Sequence, residues 1–248
     1  MAQQFTVTCP LGAESLLELE LRRLGVQRTK PSKGSVLVTG GHREAYTTCL
    51  WSRVASRVLW QLKRFEAITA EDLYDGLRAI AWHEHITPTS TLWVDFSGRS
   101  KFIRNEQFGA QKSKDAIVDQ IRDAVGARPD IQKYDPDVRV HIRLHHGLVI
   151  AQIDLSGAPL HLRTPNKKIN DAPLKENLAA SLLIAADWPR KARQGACFAD
   201  PMCGSGTIVL EAAGMMTNRA PGLARTRWGF SNWSQHKPQL WESLTSEA

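Results

Sequence analysis

The chain is poor in cysteine and has no long apolar run, and each absence argues against a class of protein. Its 248 residues include four widely spaced cysteines and no Cys-x-x-Cys pair, which argues against a disulfide framework and a zinc ribbon. No segment approaches the roughly 18 apolar residues of a membrane span, and the N-terminus lacks the basic-then-apolar order of a secretory signal. We therefore predict a cytoplasmic protein without a membrane span.

Metal-ligand patterns are also absent from the sequence. The pairs of histidines in His83-Glu84-His85 and His145-His146 have no third ligand at a suitable spacing. We interpret both as surface residues and predict no metal site.

Positive charge is what the sequence has in excess. Lysine and arginine number 32 against 25 acidic residues, so the formal net charge is +7. A basic protein of this size favours polyanionic partners, with nucleic acid first among them. At 42% hydrophobic content the chain can form one large domain or two small ones.

The pattern of apolar residues predicts mixed α and β structure. In the N-terminal segment we expect strands over 5–9 and 35–39, a helix carrying Leu16, Leu17, Leu21 and Leu24, and a second helix through Tyr46 and Val54. Further along we expect strands over 57–62 and 91–96, a helix over 106–125, a hairpin of 138–144 with 148–155, and a helix through 178–184.

Two groups of basic residues stand out within this pattern. In the hairpin, Arg139, His141, Arg143 and His145 alternate with apolar residues and form the predicted outer face. Taken alone, that face fits a solvated sheet surface as well as RNA contact. A second cluster lies nearby in sequence, and phosphate binding needs several charges together. The residues predicted to contact RNA are Arg99, Lys101, Arg104, Lys112, Lys114, Arg139 and Arg143.

The most specific pattern in the chain runs from Asp200 to Thr207, with the sequence Asp-Pro-Met-Cys-Gly-Ser-Gly-Thr. We expect a strand over 196–199, a glycine loop, and a helix from residue 208, which is the order of a cofactor site. No lysine follows the glycines, which argues against a P-loop, and the third glycine of the dinucleotide fingerprint is replaced by Val209. We interpret Cys203 as a small loop residue, because the sequence places no basic partner beside it.

The eight residues of this loop resemble motif I of class I S-adenosylmethionine-dependent methyltransferases that modify exocyclic amino groups of bases. Other segments, among them 50–57, 103–105, 114–119, 154–157 and 172–180, are similar to the RlmL family of bacterial 23S rRNA guanine-N2 methyltransferases. The resemblance implies a ferredoxin-like segment over 1–44, a THUMP RNA-binding domain over 45–156, and the start of a Rossmann-like methyltransferase domain over 157–248. It also implies 23S rRNA, or a large-subunit precursor, as the partner, with guanine 2445 as the family target.

The same resemblance assigns a cofactor site for S-adenosylmethionine. Its methionine end is expected over the backbone of Gly204 to Gly206, with Asp200 near its amino group. The residues implied to line the site are Asn177, Asp200, Pro201, Cys203, Gly204, Ser205, Gly206 and Thr207.

The chain departs from the family pattern in two places. After His161-Leu162-Arg163 it reads Thr164-Pro165-Asn166-Lys167, where the family has an Arg-Gly-Tyr-Arg type sequence. The family's Asn-Pro-Pro-Tyr catalytic motif does not occur, so no catalytic residue is assigned here. We expect the methyltransferase domain to be incomplete, and the polypeptide to bind RNA but methylate little or nothing alone.

Two other functions compete with this one. A THUMP-containing tRNA thiolation enzyme would need a Ser-Gly-Gly-x-Asp-Ser loop, which the sequence lacks. A non-catalytic RNA-binding or ribosome-assembly protein with a vestigial cofactor loop stays open at this point, and nothing in the sequence indicates an oligomeric state.

Overall fold

The computed structural model describes residues 3–163 and 174–248. Residues 164–167, where the sequence departs from the family pattern, and the motif residues Ala172 and Pro173 lie outside the described residues. The elements up to the middle of the chain are β1 Gln4–Thr8, α1 Glu14–Arg23, β2 Thr29–Ser32, β3 Ser35–Thr39, α2 His42–Trp51, β4 Arg57–Glu66, α3 Ala70–Arg78, β5 Thr91–Ser97 and α4 Glu106–Val125. They are followed by β6 Asp130–Ile131, β7 Val138–His145, β8 Leu148–Asp154, α5 Glu176–Ala185, α6 Trp188–Arg193, α7 Thr207–Met216 and α8 Pro238–Ser246.

These elements form two compact units. The first unit takes the described residues up to Val58, from Ala158 to Thr226, and from Lys237 onward. The second unit takes Leu59–Gly157 together with Arg227–His236. The chain therefore leaves each unit and returns to it.

The first unit begins with a small antiparallel sheet in the order β2-β3-β1. Alternate residues of its strands, such as Phe5 and Val38, are fully buried, and Leu17 and Leu21 of α1 are buried as well. Helices α5, α6 and α7 pack together around Trp188 and its neighbours in a separate cluster of the same unit. The predicted strands and the first helix of the N-terminal segment are confirmed. The second helix forms but ends at Trp51, short of the predicted Val54, because Ser52 takes an extended conformation. Elements β2, α6 and α8 were not predicted from the sequence.

The second unit is a sheet in the order β4-β8-β7-β5-β6, packed against helices α3 and α4. The predicted hairpin is confirmed, with Val140 opposite Ile153 and His145 opposite Leu148. Helix α4 has the predicted bounds, because the side-chain carbonyl of Asn105 accepts the Phe108 N–H at 2.7 Å at its start and left-handed Gly126 ends it. Helix α3 was not predicted.

A ten-residue segment, Arg227–His236, completes the core of the second unit. The Trp233 indole N–H donates to Nδ1 of His85 at 3.1 Å, and the Trp233 ring lies edge-on to Trp60 with centroids 5.6 Å apart. The prediction that His85 is a surface residue is therefore wrong, because its ring is partly buried and stacked on Trp233. Burial lowers the pKa of His85 below its usual value of 6.5.

The strand predicted over 196–199 is not formed. Residues 195–199 are exposed and have no regular secondary structure. A strand is stabilised by hydrogen bonds to a neighbouring strand, and between residues 174 and 248 the described chain contains no strand with which this segment could pair. Within the described ranges, no helix combines the length and apolar character needed to cross a membrane.

Candidate functional site

The 200–207 loop is a tight turn that runs directly into α7. The Asp200 carboxylate accepts the Met202 N–H at 3.1 Å, and the Cys203 carbonyl accepts the Gly206 N–H at 2.8 Å. Gly204 and Gly206 have φ values of 53° and 74°, a left-handed conformation that favours glycine. Both glycines of the predicted motif are therefore required by the backbone.

The loop presents backbone and small side chains to solvent. Pro201, Cys203 and Gly204 are exposed, Ser205 is half-buried, and Thr207 is buried at the first position of α7. The first N–H groups of a helix have no partner within it and carry a partial positive charge. The loop can therefore receive an anionic group such as a carboxylate.

Asn177, the remaining residue predicted for the cofactor site, lies near the start of α5 and is 1% exposed. Its Nδ2 donates to Ser56 Oγ at 2.9 Å and to the Val54 carbonyl at 3.4 Å. Its Oδ1 is buried without a hydrogen-bond partner among the described residues. The Asn177 side chain lines a cavity of about 590 Å³. Among the described residues, His161 and Lys175 also line this cavity, and no residue of the 200–207 loop does. The role of Asn177 in cofactor binding stays a prediction.

Helix α7 carries a buried carboxylate that sequence reasoning missed. Oε2 of Glu211 accepts from Nη1 of Arg163 at 2.6 Å and from Nη1 of Arg53 at 3.2 Å. The three side chains are 8%, 7% and 13% exposed, in the order Glu211, Arg163 and Arg53. Arg53 and Arg163 lie in segments that resemble the family, but no motif marks Glu211 and nothing in the sequence pairs it with them, because the three residues come from distant parts of the chain.

A second carboxylate, that of the half-buried Glu20 of α1, holds the turn from which Arg53 projects. It accepts from Ser52 Oγ at 2.5 Å and from the backbone N–H groups of Arg53 and Val54 at 2.8 and 3.3 Å. Burial raises the pKa of Glu20, and these three hydrogen bonds oppose the rise. The turn after α2 is thus fixed to α1 by the carboxylate.

The basic residues predicted to contact RNA divide into two groups. Three are paired: Lys112 lies 3.6 Å from Glu71, Lys114 lies 2.6 Å from Asp115, and Arg139 lies 2.8 Å from Asp95. The other four are exposed, and their side chains have no partner within the described part of the chain; these are Arg99, Lys101, Arg104 and Arg143.

The four unpaired residues share one end of the second unit's sheet. Ser97, the last residue of β5, aligns with Arg143 of β7, and the 98–105 loop follows at once. Gly98 has φ 112°, and a Cβ there would lie 1.9 Å from the Leu144 carbonyl oxygen. Ile103 is fully buried and anchors the other half of the loop. The 98–105 loop is therefore held close to β7, beside Arg143.

The site contains no arrangement of side chains suited to a metal ion. Over residues 3–163 and 174–248, no group of three or more His, Cys, Asp and Glu side chains is placed to hold one.

Three family models match successive parts of the chain. An RlmL ferredoxin-like domain matches residues 4–59, a THUMP domain matches 67–154, and a methyltransferase domain described as RMKL-like matches 163–247. The predicted ferredoxin-like and THUMP folds are confirmed, and the chain is a THUMP-domain protein with a methyltransferase-type segment. The boundaries that we predicted at residues 44 and 156 stay predictions.

The whole proteins to which the chain is similar include ribosomal RNA large subunit methyltransferases. The chain is 49% identical, over 99% of its length, to the ribosomal RNA large subunit methyltransferase K/L of Ectopseudomonas mendocina. Over almost its whole length the chain is similar to the N-terminal part of these methyltransferases. The chain spans about a third of the length of the curated relatives it matches, 34% in that case.

Two solved structures with a similar fold are described as methylases or methyltransferases. A structure from Listeria monocytogenes, described as a predicted N6-adenine-specific DNA methylase, superposes with a TM-score of 0.86 at 28% identity. SMU.472, described as a putative methyltransferase complexed with SAH, superposes with a TM-score of 0.84, also at 28% identity. Each covers all of this chain, which in turn covers 64% of each.

Proposed function

We propose that this chain recognises RNA and supplies part of the cofactor site for an S-adenosylmethionine-dependent methyltransferase acting on 23S rRNA in the cytoplasm. The family resemblance makes the exocyclic N2 of guanine 2445 the methyl acceptor. The observation that carries the RNA part of the proposal is the cluster of four unpaired cations, Arg99, Lys101, Arg104 and Arg143, at one end of the second unit.

The charges of this cluster suit a phosphate backbone. Phosphate contacts fix the register of a protein on a nucleic acid and need several cations within one surface. The 98–105 loop brings three cations close to Arg143 and is itself held by Gly98 and Ile103. Because none of the four is committed to an acidic partner in the described structure, all four are available to RNA.

Two triple variants test which cations contact RNA. Lys101→Gln with Arg104→Gln and Arg143→Gln should weaken binding to a 23S rRNA fragment, measured by fluorescence anisotropy across a salt series. The plot of log affinity against log salt has a negative slope, and the magnitude of this slope should decrease by about 0.7–0.9 for each phosphate that the variant no longer neutralises. The matched control replaces the paired Lys112, Lys114 and Arg139 by Gln, and a smaller change is expected. An equal decrease in affinity in both triples would show that ion pairing within the protein does not select the RNA surface.

The cofactor part of the proposal rests on the 200–207 loop. When bound, S-adenosylmethionine supplies the methyl group. The backbone N–H groups of Gly204 and Ser205 would receive its carboxylate, since the Gly206 N–H donates to the Cys203 carbonyl. The Asp200 carboxylate, which accepts the Met202 N–H, would receive its ammonium group. Neither glycine can take a side chain without strain, since both have positive φ.

Calorimetric titration with S-adenosylhomocysteine tests this part. Binding by the chain, lost in Asp200→Ala and kept in Met202→Ala, is the expected result, because Met202 is 89% exposed in the same loop. RNA binding without any cofactor binding would favour the alternative, a non-catalytic RNA-binding or assembly protein.

A further inference from the structure

A buried ion cluster joins two segments that match different family models. Arg53 follows α2, in the segment that matches the RlmL ferredoxin-like domain. Glu211 lies in α7, in the segment that matches the methyltransferase domain. Both belong to the first compact unit, and their side chains form an ion pair at 3.2 Å.

Arg53 is bonded through both its backbone and its side chain. Its N–H donates to Glu20 of α1 at 2.8 Å, and its carbonyl accepts from Arg163. Its guanidinium donates to Glu211, to the Gly214 carbonyl at 2.8 Å, and to the Arg219 carbonyl at 2.6 Å. The backbone of Arg53 is therefore held by Glu20 of α1 and by Arg163, while its side chain binds α7 and the segment after it.

The contacts lie along one face of α7. Thr207, Glu211 and Gly214 are separated by four and three residues, so they share a face of the helix. Thr207 is the last residue of the 200–207 loop and is buried, like Glu211. Gly214 leaves room for the guanidinium, since a Cβ there would lie 3.1 Å from its Nη1. A cation beside the last carbonyls of a helix is also favoured by the helix dipole.

A separate side of α7 is held by apolar packing. Ala212 packs in a cluster with Leu183 and Trp188, and the Trp188 indole N–H donates to the Ala212 carbonyl at 3.1 Å. The apolar contacts and the contacts of Arg53 therefore hold different sides of α7. Contacts on two sides together fix the rotation of a helix about its axis, and the rotation of α7 sets the direction in which the 200–207 loop presents its N–H groups.

We propose that Arg53 is a positioning residue for the cofactor: the N-terminal segment fixes the orientation of α7 through Arg53, and so sets the affinity of the 200–207 loop for S-adenosylmethionine. This proposal rests on the cofactor role proposed above for that loop.

Arg53→Met and Arg53→Lys test the proposal in the 248-residue chain. Two readouts are used: hydrogen exchange of peptides spanning 200–216, and calorimetric affinity for S-adenosylhomocysteine. Arg53→Met should speed exchange in these peptides and weaken the cofactor by a factor on the order of 2 to 30. Arg53→Lys keeps the charge but carries all its N–H donors on one nitrogen, so it cannot reach Glu211, Gly214 and Arg219 together and should restore only part of the affinity.

A stability control separates positioning from general destabilisation. Val38→Ala removes two buried methyl groups from β3, in the same unit, without removing a polar contact to α7. It should lower the melting temperature while leaving exchange over 200–216 and cofactor affinity unchanged. Equal effects of Val38→Ala and Arg53→Met on both readouts would overturn the proposal, and so would unchanged exchange in Arg53→Met.

The exchange measurement does not depend on cofactor binding. If the unmodified chain binds no S-adenosylhomocysteine, the proposed cofactor function fails for this chain. Faster exchange confined to 200–216 in Arg53→Met would then still support the structural step, the hold of Arg53 on α7.

Discussion

Replacing Glu211 by glutamine tests whether the buried ion cluster stabilises the first unit. Glutamine keeps the size of the side chain and one acceptor oxygen but removes the negative charge between Arg53 and Arg163. Because these side chains are at most 13% exposed, the two guanidinium groups would lose their shared buried counterion. Neither arginine can relieve the cost of its unpaired buried charge by losing a proton, because the guanidinium group stays protonated in proteins. Breaking a buried pair in this way costs about 3–5 kcal/mol of the free energy of unfolding.

The assay is thermal unfolding followed by circular dichroism at low and high salt. For a chain of this size about 2–4 °C is lost per kcal/mol, so Glu211→Gln should lower the melting temperature by about 6–20 °C. The decrease should persist at high salt, because buried pairs are screened less than exposed ones.

The matched control is Glu18→Gln, which removes the carboxylate of an i,i+4 pair on the surface of α1 and keeps an acceptor oxygen for Thr29 Oγ1. The side chains of Glu18 and Arg22 in this pair are 20% and 55% exposed. A pair of this kind contributes about 0.3–0.5 kcal/mol, so the control should change the melting temperature little. If Glu211→Gln melts within the same narrow range as Glu18→Gln, the reasoning from burial is refuted.

Two further predictions concern the second unit. Gly98→Ala would place a Cβ 1.9 Å from the Leu144 carbonyl oxygen and should displace the 98–105 loop. RNA affinity should therefore fall about as much as in the Lys101, Arg104 and Arg143 triple variant. The control is Gly126→Ala, at a position with φ 77° and open space around the Cβ, and it should leave RNA affinity in the anisotropy titrations unchanged. Burial lowers the pKa of His85 below 6.5, so the folded state favours the neutral ring. The stability that this neutral ring contributes is fully present above pH 6.5 and is lost as the pH falls from 6.5 through the lowered pKa. His85→Asn keeps an acceptor for the Trp233 indole N–H but does not titrate, so the urea midpoint should depend less on pH between about 7.5 and 5.5 than in the unmodified chain.

Local patterns were sufficient to predict much of the fold. The alternation in β7 has the period of a strand with one buried face, and its apolar residues are all buried. Helix α4 was delimited by a capping asparagine and a terminating glycine, both of which act within one turn. The glycines of the 200–207 loop were predicted for the same reason, since their backbone conformation is a local property.

Pairing between distant residues could not be predicted in this way. The Arg53–Glu211 contact spans 158 positions, and the Trp233–His85 hydrogen bond spans 148. From the sequence, Lys112 was likewise predicted to be a cation available to RNA, and only the structure shows that Glu71 lies beside it. The strand expected over 196–199 failed for a related reason, because a strand depends on a partner that its own residues do not specify.

The two compact units do not follow the segments that the family models match. The methyltransferase model covers 163–247, yet within that range Arg227–His236 belongs to the second unit, where Trp233 fills space beside Trp60 and His85. The ferredoxin-like model ends at residue 59, yet Arg53, inside that model, binds α7, the helix that follows the 200–207 loop. Each matched segment therefore takes part of its stability from residues of another. A cut at a model boundary would leave a buried tryptophan or a buried carboxylate without its partner, so the segments are better understood as interdependent parts of the two units than as separable domains.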